Sequence, residues 1–472
     1  MRDIILVSDF GTSNVRCVAI DAADGVTVQS ASRKYAVHSP QEGYMEIDPE
    51  EIWANAVACV GEVKGLLSGG DAVKALNFTF FGSTLFVLDE NHKPLTNCIL
   101  LWDKRSEAES KELVEKLSTP KFEFTKLSPA SKILYYKRGG QLPTARHWWS
   151  IQQFVLQRLG LRPVWDPTMA NSHHLYSVSE GAWNQSFLDA IGISVDELCA
   201  EFVTAQEPVG VIDHFGDVDL GGGVTVFAGG HDSDVGIFGL GIMDEADDVI
   251  GEAAGTYDHV GFLANETPER TLPAKAAAGP LKGTRVCMRG FSYYGAVVEW
   301  FMRELGGGTS AEAYGDMWSH CTFDGTPGGV KLNPAFMGDG ALTGLGLSVT
   351  KYDIFRCIIE TLTFETRKLV DTALKIKQNG CGRIRVGGGP AKADGWVQLR
   401  ADVTGLTVER LVNYDISALG AAVLAAGGVG VYPSLREALD HMVRIKDSFA
   451  PDPERHARYE ERYKEYLERG RR

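Results

Sequence analysis

An aspartate, a glycine, two hydroxyls and an arginine fall close together near the start of the chain, as Asp9, Gly11, Thr12, Ser13 and Arg16. A glycine lets backbone N–H groups approach an anion, and hydroxyls add donors. Arg16 supplies a cation as the chain leaves the tip. The Asp9 carboxylate repels a bare phosphate but suits a Mg²⁺ that travels with one. A plain Asp-x-Gly turn accounts for part of this run. Thr12-Ser13-Asn14 offers more donors than a turn requires. The grouping favours nucleotide-phosphate binding.

Other residues carry chemistry further along. In Gly229-Gly230-His231-Asp232 a carboxylate stands behind two glycines. Asp232 reads as a helix N-cap or as a general base that takes a proton from an alcohol attacking phosphorus, and one residue can serve both. His231 fits a structural or substrate-contacting neighbour. Gly255-Thr256 repeats the glycine–hydroxyl pair of the first tip. Gly387-Gly388-Gly389 would let something flat or anionic come close, unless it is only a flexible linker. Trp102-Asp103-Lys104-Arg105 offers an indole for C–H faces and a carboxylate for hydroxyls, or simply an Asp103–Arg105 surface pair. The chain has no GxxxxGK[ST] loop, and no GxGxxG between a strand and a helix near its start.

These residues need elements to hold them. Apolar runs at 4–7 and 15–20 predict a β-hairpin with Asp9–Arg16 at its tip. A third strand is expected at 26–35 and a helix after Asp48, which caps it ahead of Pro49, Glu50 and Glu51. Strands are expected at 76–81 and 99–102. Helical patterns run from about 104 to 160, broken at Pro120, Pro129 and Pro143. A strand at 224–228 should deliver Asp232 to a helix over 233–240. The second half repeats this outline: residues 248–250 lead to the 255–258 turn, and 259–263 leave it. Helices at 291–306 and 351–379, a strand at 383–386, and helices from 394 and over 454–469 complete it. Tyr459, Tyr463 and Tyr466 make one aromatic stripe on the last helix.

Two domains are expected for 472 residues, with a boundary near 244 dividing 1–244 from 245–472. A net charge of −15 argues against nucleic acid or an anionic membrane as partner. The eight cysteines lack CxxC pairs or zinc-ligand spacing, which fits reduced thiols in the cytoplasm. The start of the chain lacks signal-peptide character, and no apolar stretch has transmembrane length.

Taken in order, these motifs resemble the FGGY family of carbohydrate kinases, which includes glycerol kinase, xylulokinase and fuculokinase. The likeness also takes in 396–405 and 417–422, so it runs nearly end to end. It implies an α/β fold of two ribonuclease-H-like, actin-type ATPase domains with a cleft between them. The first would hold the sugar and the catalytic base, and the second ATP. By position, Asp9 matches the magnesium-associated acid, and Gly11, Thr12, Ser13 and Arg16 the phosphate-facing tip. Asp232 matches the base, Gly255 and Thr256 the second phosphate loop, and Gly388 and Gly389 the adenosine side. Ser83, Thr84, Trp102, Asp103 and His231 fall in the sugar-contacting region. Two departures stand out. The 387–396 loop is one residue longer than the common form, so Gly387 is not carried over. Tyr257 and Asp258 follow the second Gly-Thr; Asp258 reads as a second metal-facing carboxylate or as pointing into solvent.

The expected activity is ATP-dependent phosphorylation of a ketose, xylulose-like, or a related polyol. Its cofactors are ATP and Mg²⁺. Its partners are a small-molecule sugar and ATP, with a homodimer left open. A non-catalytic nucleotide switch of the actin and heat-shock-chaperone type is the alternative. It would keep the phosphate turns but would not need Asp232 or Trp102-Asp103.

Overall fold

The structure, a computed structural model, describes residues 2–117, 128–255, 257–265, 272, 276–292, 294–326, 328–333 and 340–469. Thr256 and Pro120 lie outside the described residues. Two compact units form, each assembled from separate stretches of chain. Unit 1 comprises Met1–Gly241, Leu263–Val286 and Ser417–Arg444. Unit 2 comprises Ile242–Phe262, Cys287–Ile416 and Ile445–Arg472.

The sheet of unit 1 runs Pro208–Phe215, Val218–Phe227, Ala72–Phe80, Asp3–Phe10, Asn14–Asp21, Thr27–Lys34 from edge to edge. The first hairpin forms as expected, with Asp9 opposite Arg16. Asp3–Phe10 also pairs in parallel with Ala72–Phe80, which sets Asp9 beside Thr79. A strand buried on both faces reads as a continuous apolar run, and Ile4, Ile5, Leu6 and Val7 are all fully buried. Helix Pro49–Leu66 packs on the second and third strands. Asp48 accepts the Glu50 N–H over 2.8 Å, and Ile52, Ala56, Cys59, Val60 and Val63 form the buried face. That spacing is one stripe of an α-helix.

The 104–160 region resolves into helices Glu107–Leu117, Pro129–Gly139 and Ile151–Arg158, with a short strand, His147–Trp149, between the last two. The expected strand at 224–228 is the end of a longer hairpin, Pro208–Phe215 with Val218–Phe227.

Unit 2 has the same plan. Its strands run Thr284–Phe291, Asp258–Asn265, Ile250–Ala254, Arg383–Gly388, Thr407–Leu411, Ile445–Phe449. Ile250–Ala254 is antiparallel to Asp258–Asn265 and parallel to Arg383–Gly388. An antiparallel meander continued by parallel strands is the ribonuclease-H-like order in both units. The helix expected over 291–306 is Tyr294–Glu304, and Thr284–Phe291 just before it is a strand that was not expected. Helix Lys351–Ile376 opens on a capping box in which Thr350 and Asp353 bond over 2.6 Å. The closing helix is Pro453–Arg469. Its Tyr459, Tyr463 and Tyr466 gather round Phe364 of Lys351–Ile376, so the aromatic stripe packs in the core of unit 2. No described helix is long and apolar enough to cross a membrane, and all eight cysteines are free thiols.

Candidate active site

The first hairpin delivers Asp9 to the end of its strand with both oxygens engaged. Oδ1 accepts from the Thr79 hydroxyl at 2.7 Å and Oδ2 from Arg16 at 2.8 Å. Beyond it the turn closes through the Gly11 N–H, which donates to the Asn14 carbonyl at 2.9 Å. Thr12 is partly exposed and Ser13 exposed at this tip. Arg16 thus comes to the tip paired with Asp9.

Asp232 opens helix Asp232–Gly239, with its side chain 37% exposed. One of its carboxylate oxygens accepts the Ser233 N–H at 2.6 Å, and its carbonyl accepts from Ser417 at 3.0 Å. Desolvation by the surrounding protein raises the Asp232 carboxyl above the usual aspartate range. The His231 imidazolium opposes that rise, and the Asp9 carboxylate adds to it. The two aspartates therefore sense each other within unit 1. Behind the segment, the Thr168 hydroxyl accepts the His231 N–H at 2.8 Å, and Asp166 accepts both the Thr168 N–H at 2.8 Å and its hydroxyl. Asp166 is fully buried, and burial pushes its carboxyl up to about 7 against these bonds.

The residues expected to meet sugar divide into two sets. Ser83 has φ of 58° and is tied to Ser172 twice, donating through its hydroxyl to the Ser172 carbonyl at 2.8 Å and through its N–H to the Ser172 hydroxyl at 3.2 Å. Trp102 is partly exposed in the turn after Cys98–Ile99. Ser83 is itself buried, and Asp103 and Thr84 are buried with it. Asp103 accepts from the Met45 N–H at 2.7 Å and from Arg105 through Nε and NH2, each at 2.8 Å. Arg105 also reaches Glu46 and Tyr136, both at 2.5 Å. The Asp103–Arg105 pair is therefore a buried network and not a surface ion pair. Thr84 is fully buried, and its hydroxyl accepts the Ile151 N–H at 3.2 Å. Both side chains act through what they hold.

Beside this network Lys132 is almost fully buried, with a long 3.4 Å contact to the Leu101 carbonyl. Burial pushes its ammonium down to about 8, and the Asp103 carboxylate opposes that fall. Burial likewise lowers His173 to about 3 and His174 to about 4. Lys132 and the two histidines were not legible as a cluster, because separate elements bring them together.

In unit 2 the second turn is partly described. The Gly255 N–H donates to the Tyr257 carbonyl at 2.8 Å, and the Gly255 carbonyl accepts from the Gly295 N–H at 3.0 Å. The Gly387–Gly389 run has a partly internal cause. A β-carbon at Gly388, where φ is 88°, would stand 1.9 Å from the Ala254 carbonyl oxygen, and one at Gly387 would stand 2.2 Å from Ile416. Only Gly389 has nothing within 4 Å. Asp258 points neither to solvent nor outward to a metal. It is fully buried and accepts from the Thr366 hydroxyl at 2.6 Å.

Comparison with known proteins agrees with this architecture. The model of the N-terminal domain of the FGGY family of carbohydrate kinases matches residues 4–239, and that of the C-terminal domain matches 253–428. A glycerol kinase from Shewanella piezotolerans is 28% identical across 95% of both chains. One from Saccharolobus islandicus is 25% identical over 95% of this chain and 92% of its own. Among solved structures, a xylulose kinase from Lactobacillus acidophilus superposes with a TM-score of 0.85 at 20% identity, covering 99% of this chain and 97% of that one. Plasmodium falciparum glycerol kinase with ADP gives 0.82 at 20% identity, covering 99% and 98%. Matched by both family domains over most of its length, the chain belongs to the FGGY family of carbohydrate kinases, phosphotransferases that use ATP as donor and an alcohol as acceptor.

Proposed function

We propose that the acceptor is a ketose, xylulose-like, or a related polyol, and that Asp232 is the general base. The observation that carries this is Asp232 itself, a partly exposed carboxylate whose basicity is raised by desolvation and by Asp9. The relatives' names, glycerol kinase and xylulose kinase, are those of a polyol and a ketose kinase.

In this reading Asp232 takes the proton of the acceptor hydroxyl as its oxygen bonds to the γ-phosphorus of ATP. The bond from that phosphorus to the β,γ-bridging oxygen breaks, and ADP leaves with the electron pair. Such a transfer asks mainly for positioning and charge stabilisation. The Gly11–Ser13 tip would meet the transferring phosphate, with Arg16 beside it. Gly255, Thr256, Gly388 and Gly389 would hold the nucleotide in unit 2, and Ser83, Trp102 and His231 the sugar in unit 1.

Asp9 is the residue fitted to Mg²⁺. Both its oxygens already accept protein donors, which suits an ion that keeps much of its water shell and takes its other ligands from phosphate. When bound, that ion would neutralise phosphate charge. The free cysteines fit a reducing compartment, the cytoplasm.

ADP release measured over glycerol, xylulose, ribulose, fuculose and gluconate tests the reading. At least one acceptor should stimulate turnover, and Asp232→Asn should cut kcat by about 10²- to 10⁴-fold. An unchanged kcat in Asp232→Asn would remove the base assignment.

A further inference from the structure

His231 and Asp232 are adjacent, and a second carboxylate stands behind the histidine. Asp234, nearly fully buried in the first turn of helix Asp232–Gly239, places Oδ2 3.2 Å from His231 Nδ1. The Ser233 hydroxyl lies 2.9 Å from the same nitrogen. Nδ1 is thereby fully occupied on its protein side. The opposite edge of the ring lies against Gly82, where a β-carbon would stand 2.5 Å from Nε2 and 2.6 Å from Cδ2. Only glycine leaves room for the ring there, at the foot of the Ser83 turn that Ser172 holds. Among the described residues Nε2 meets no hydrogen-bond partner, and the side chain is about one-fifth open, at 21% exposure.

We infer that Asp234 is a positioning residue that holds His231 as an imidazolium, whose Nε2–H binds an acceptor oxygen on the carbon next to the hydroxyl facing Asp232. The inference rests on the kinase reading above and gives the oxygen beside the phosphorylated hydroxyl, which ketoses and polyols share, a charged partner in this chain. Asp232 Oδ1 lies 3.8 Å from His231 Nδ1, so the two side chains are close neighbours at the helix start. A backbone N–H donor would bind such an oxygen as a neutral group. A charged donor makes a hydrogen bond roughly twice as strong.

The surrounding charges agree with this geometry. Burial alone would push His231 down, but the carboxylates of Asp234, Asp232 and Asp166 outweigh it and push the imidazole up to about 9. His174 feels the His231 charge in turn, and burial lowers that ring to about 4. The donor is therefore present below about pH 9 and lost above it.

The test is made on the full chain. Nitrogen-edited NMR, assigned with His231→Gln, should show the wild-type ring titrating near 9 and moving toward the ordinary histidine value in Asp234→Asn. For each acceptor turned over, the alkaline limb of kcat/KM should move in the same way. At pH 8 Asp234→Asn should then retain roughly one-thirtieth of wild-type kcat/KM, and Asp234→Glu should restore most of it. Wild type should prefer glycerol to propane-1,3-diol, or xylulose to its 4-deoxy analogue, by at least roughly a hundredfold. Asp234→Asn should narrow that preference. A wild-type ring titrating near its ordinary value, or an alkaline limb that Asp234→Asn leaves in place, overturns the inference while the kinase reading stands. Absence of turnover with every acceptor overturns the kinase reading, and this inference with it.

Discussion

The Arg400 guanidinium donates to a Glu252 carboxylate oxygen over 2.6 Å, and neither side chain has any solvent exposure. Arg400 also donates to the Tyr294 hydroxyl at 2.8 Å and lies over the Trp396 ring at 4.7 Å. Asp258 adds a second buried carboxyl. Burial pushes it well up, the Glu252 charge adds to that, and Thr366 and Arg400 oppose it. One guanidinium thus faces two buried carboxyls, Glu252 and Asp258, both pushed up by burial and both held down in part by Arg400. Removing Arg400 leaves the buried Glu252 carboxyl without its hydrogen-bonded cation. Arg400→Met should destabilise unit 2 by about 3–5 kcal/mol, read as a lower urea midpoint. Arg400→Met combined with Glu252→Gln should recover part of the loss.

The Asp9–Thr79 bond predicts a catalytic phenotype for a residue outside the motifs. Thr79→Val removes the donor to Asp9 Oδ1 while keeping the buried volume. Asp9→Asn should lower kcat by about 10²- to 10³-fold, with the dissociation constant for the acceptor little changed in calorimetry. Thr79→Val should give a smaller loss in the same direction and raise the Mg²⁺ concentration needed for half-maximal rate. An unchanged Mg²⁺ requirement in both variants would remove Asp9 from the metal site.

Asp166 should make stability fall as pH rises. Its carboxyl stands at about 7 in the fold, against an ordinary value of 3.8. The folded chain therefore binds more protons than the unfolded one between those values. Its contribution is full below about pH 4 and is lost as pH climbs to about 7. Asp166→Asn should flatten that slope in denaturant midpoints measured from pH 4.5 to 7.5.

His173 should act with the opposite sign. Its ring is fully buried, neither nitrogen is hydrogen-bonded among the described residues, and it packs edge-on against Trp165 at 4.7 Å. Burial lowers it to about 3 from 6.5. Its penalty is absent above about pH 6.5 and grows as pH falls toward 3. His173→Leu should leave stability at pH 8 within about 1–2 kcal/mol of wild type, and raise it relative to wild type at pH 4.5.

The glycine run separates packing from ligand approach. Gly388→Ala meets the Ala254 carbonyl at a positive φ and should cost about 2 kcal/mol or more. Gly389→Ala meets nothing and should fold like wild type, with any effect confined to the Michaelis constant for ATP. A large stability loss at Gly389 would reverse this assignment.

Much of this site was legible because its residues sit on short, strongly patterned elements. The apolar runs on either side of Asp9–Arg16 fix the hairpin, and its register places those two residues opposite each other. Asp48, Pro49 and the acidic first turn mark the helix Pro49–Leu66. Thr79 was hidden because a parallel pairing joins it to Asp9 across seventy positions. The strand Val218–Phe227 was only partly read because Gly221, Gly222 and Gly223 interrupt its pattern. Thr284–Phe291 was missed because Arg285 and Arg289 break its apolar run, yet Arg285 is buried by bonding to the Ala276 carbonyl at 2.6 Å. Asp234 had a local signal, an acid three residues after a histidine at a helix start. The same spacing is common on solvated helix faces, and only burial distinguishes the two.

The interleaving of the two units bears on how the protein is made. Unit 1 recruits Ser417–Arg444, where the Ala421 carbonyl accepts from Asn77 at 2.9 Å and the Tyr432 hydroxyl donates to the Ala22 carbonyl at 2.8 Å. Unit 2 recruits Ile445–Arg472. During synthesis the N-terminal sheet therefore emerges long before the helix that completes it, and exposes that face until more than four hundred residues have been translated. Chaperone demand should accordingly peak late on the ribosome. Cutting the gene between the family's two domains should give an N-terminal fragment short of Leu263–Val286 and Ser417–Arg444, and a C-terminal fragment that carries those two stretches without the unit they complete.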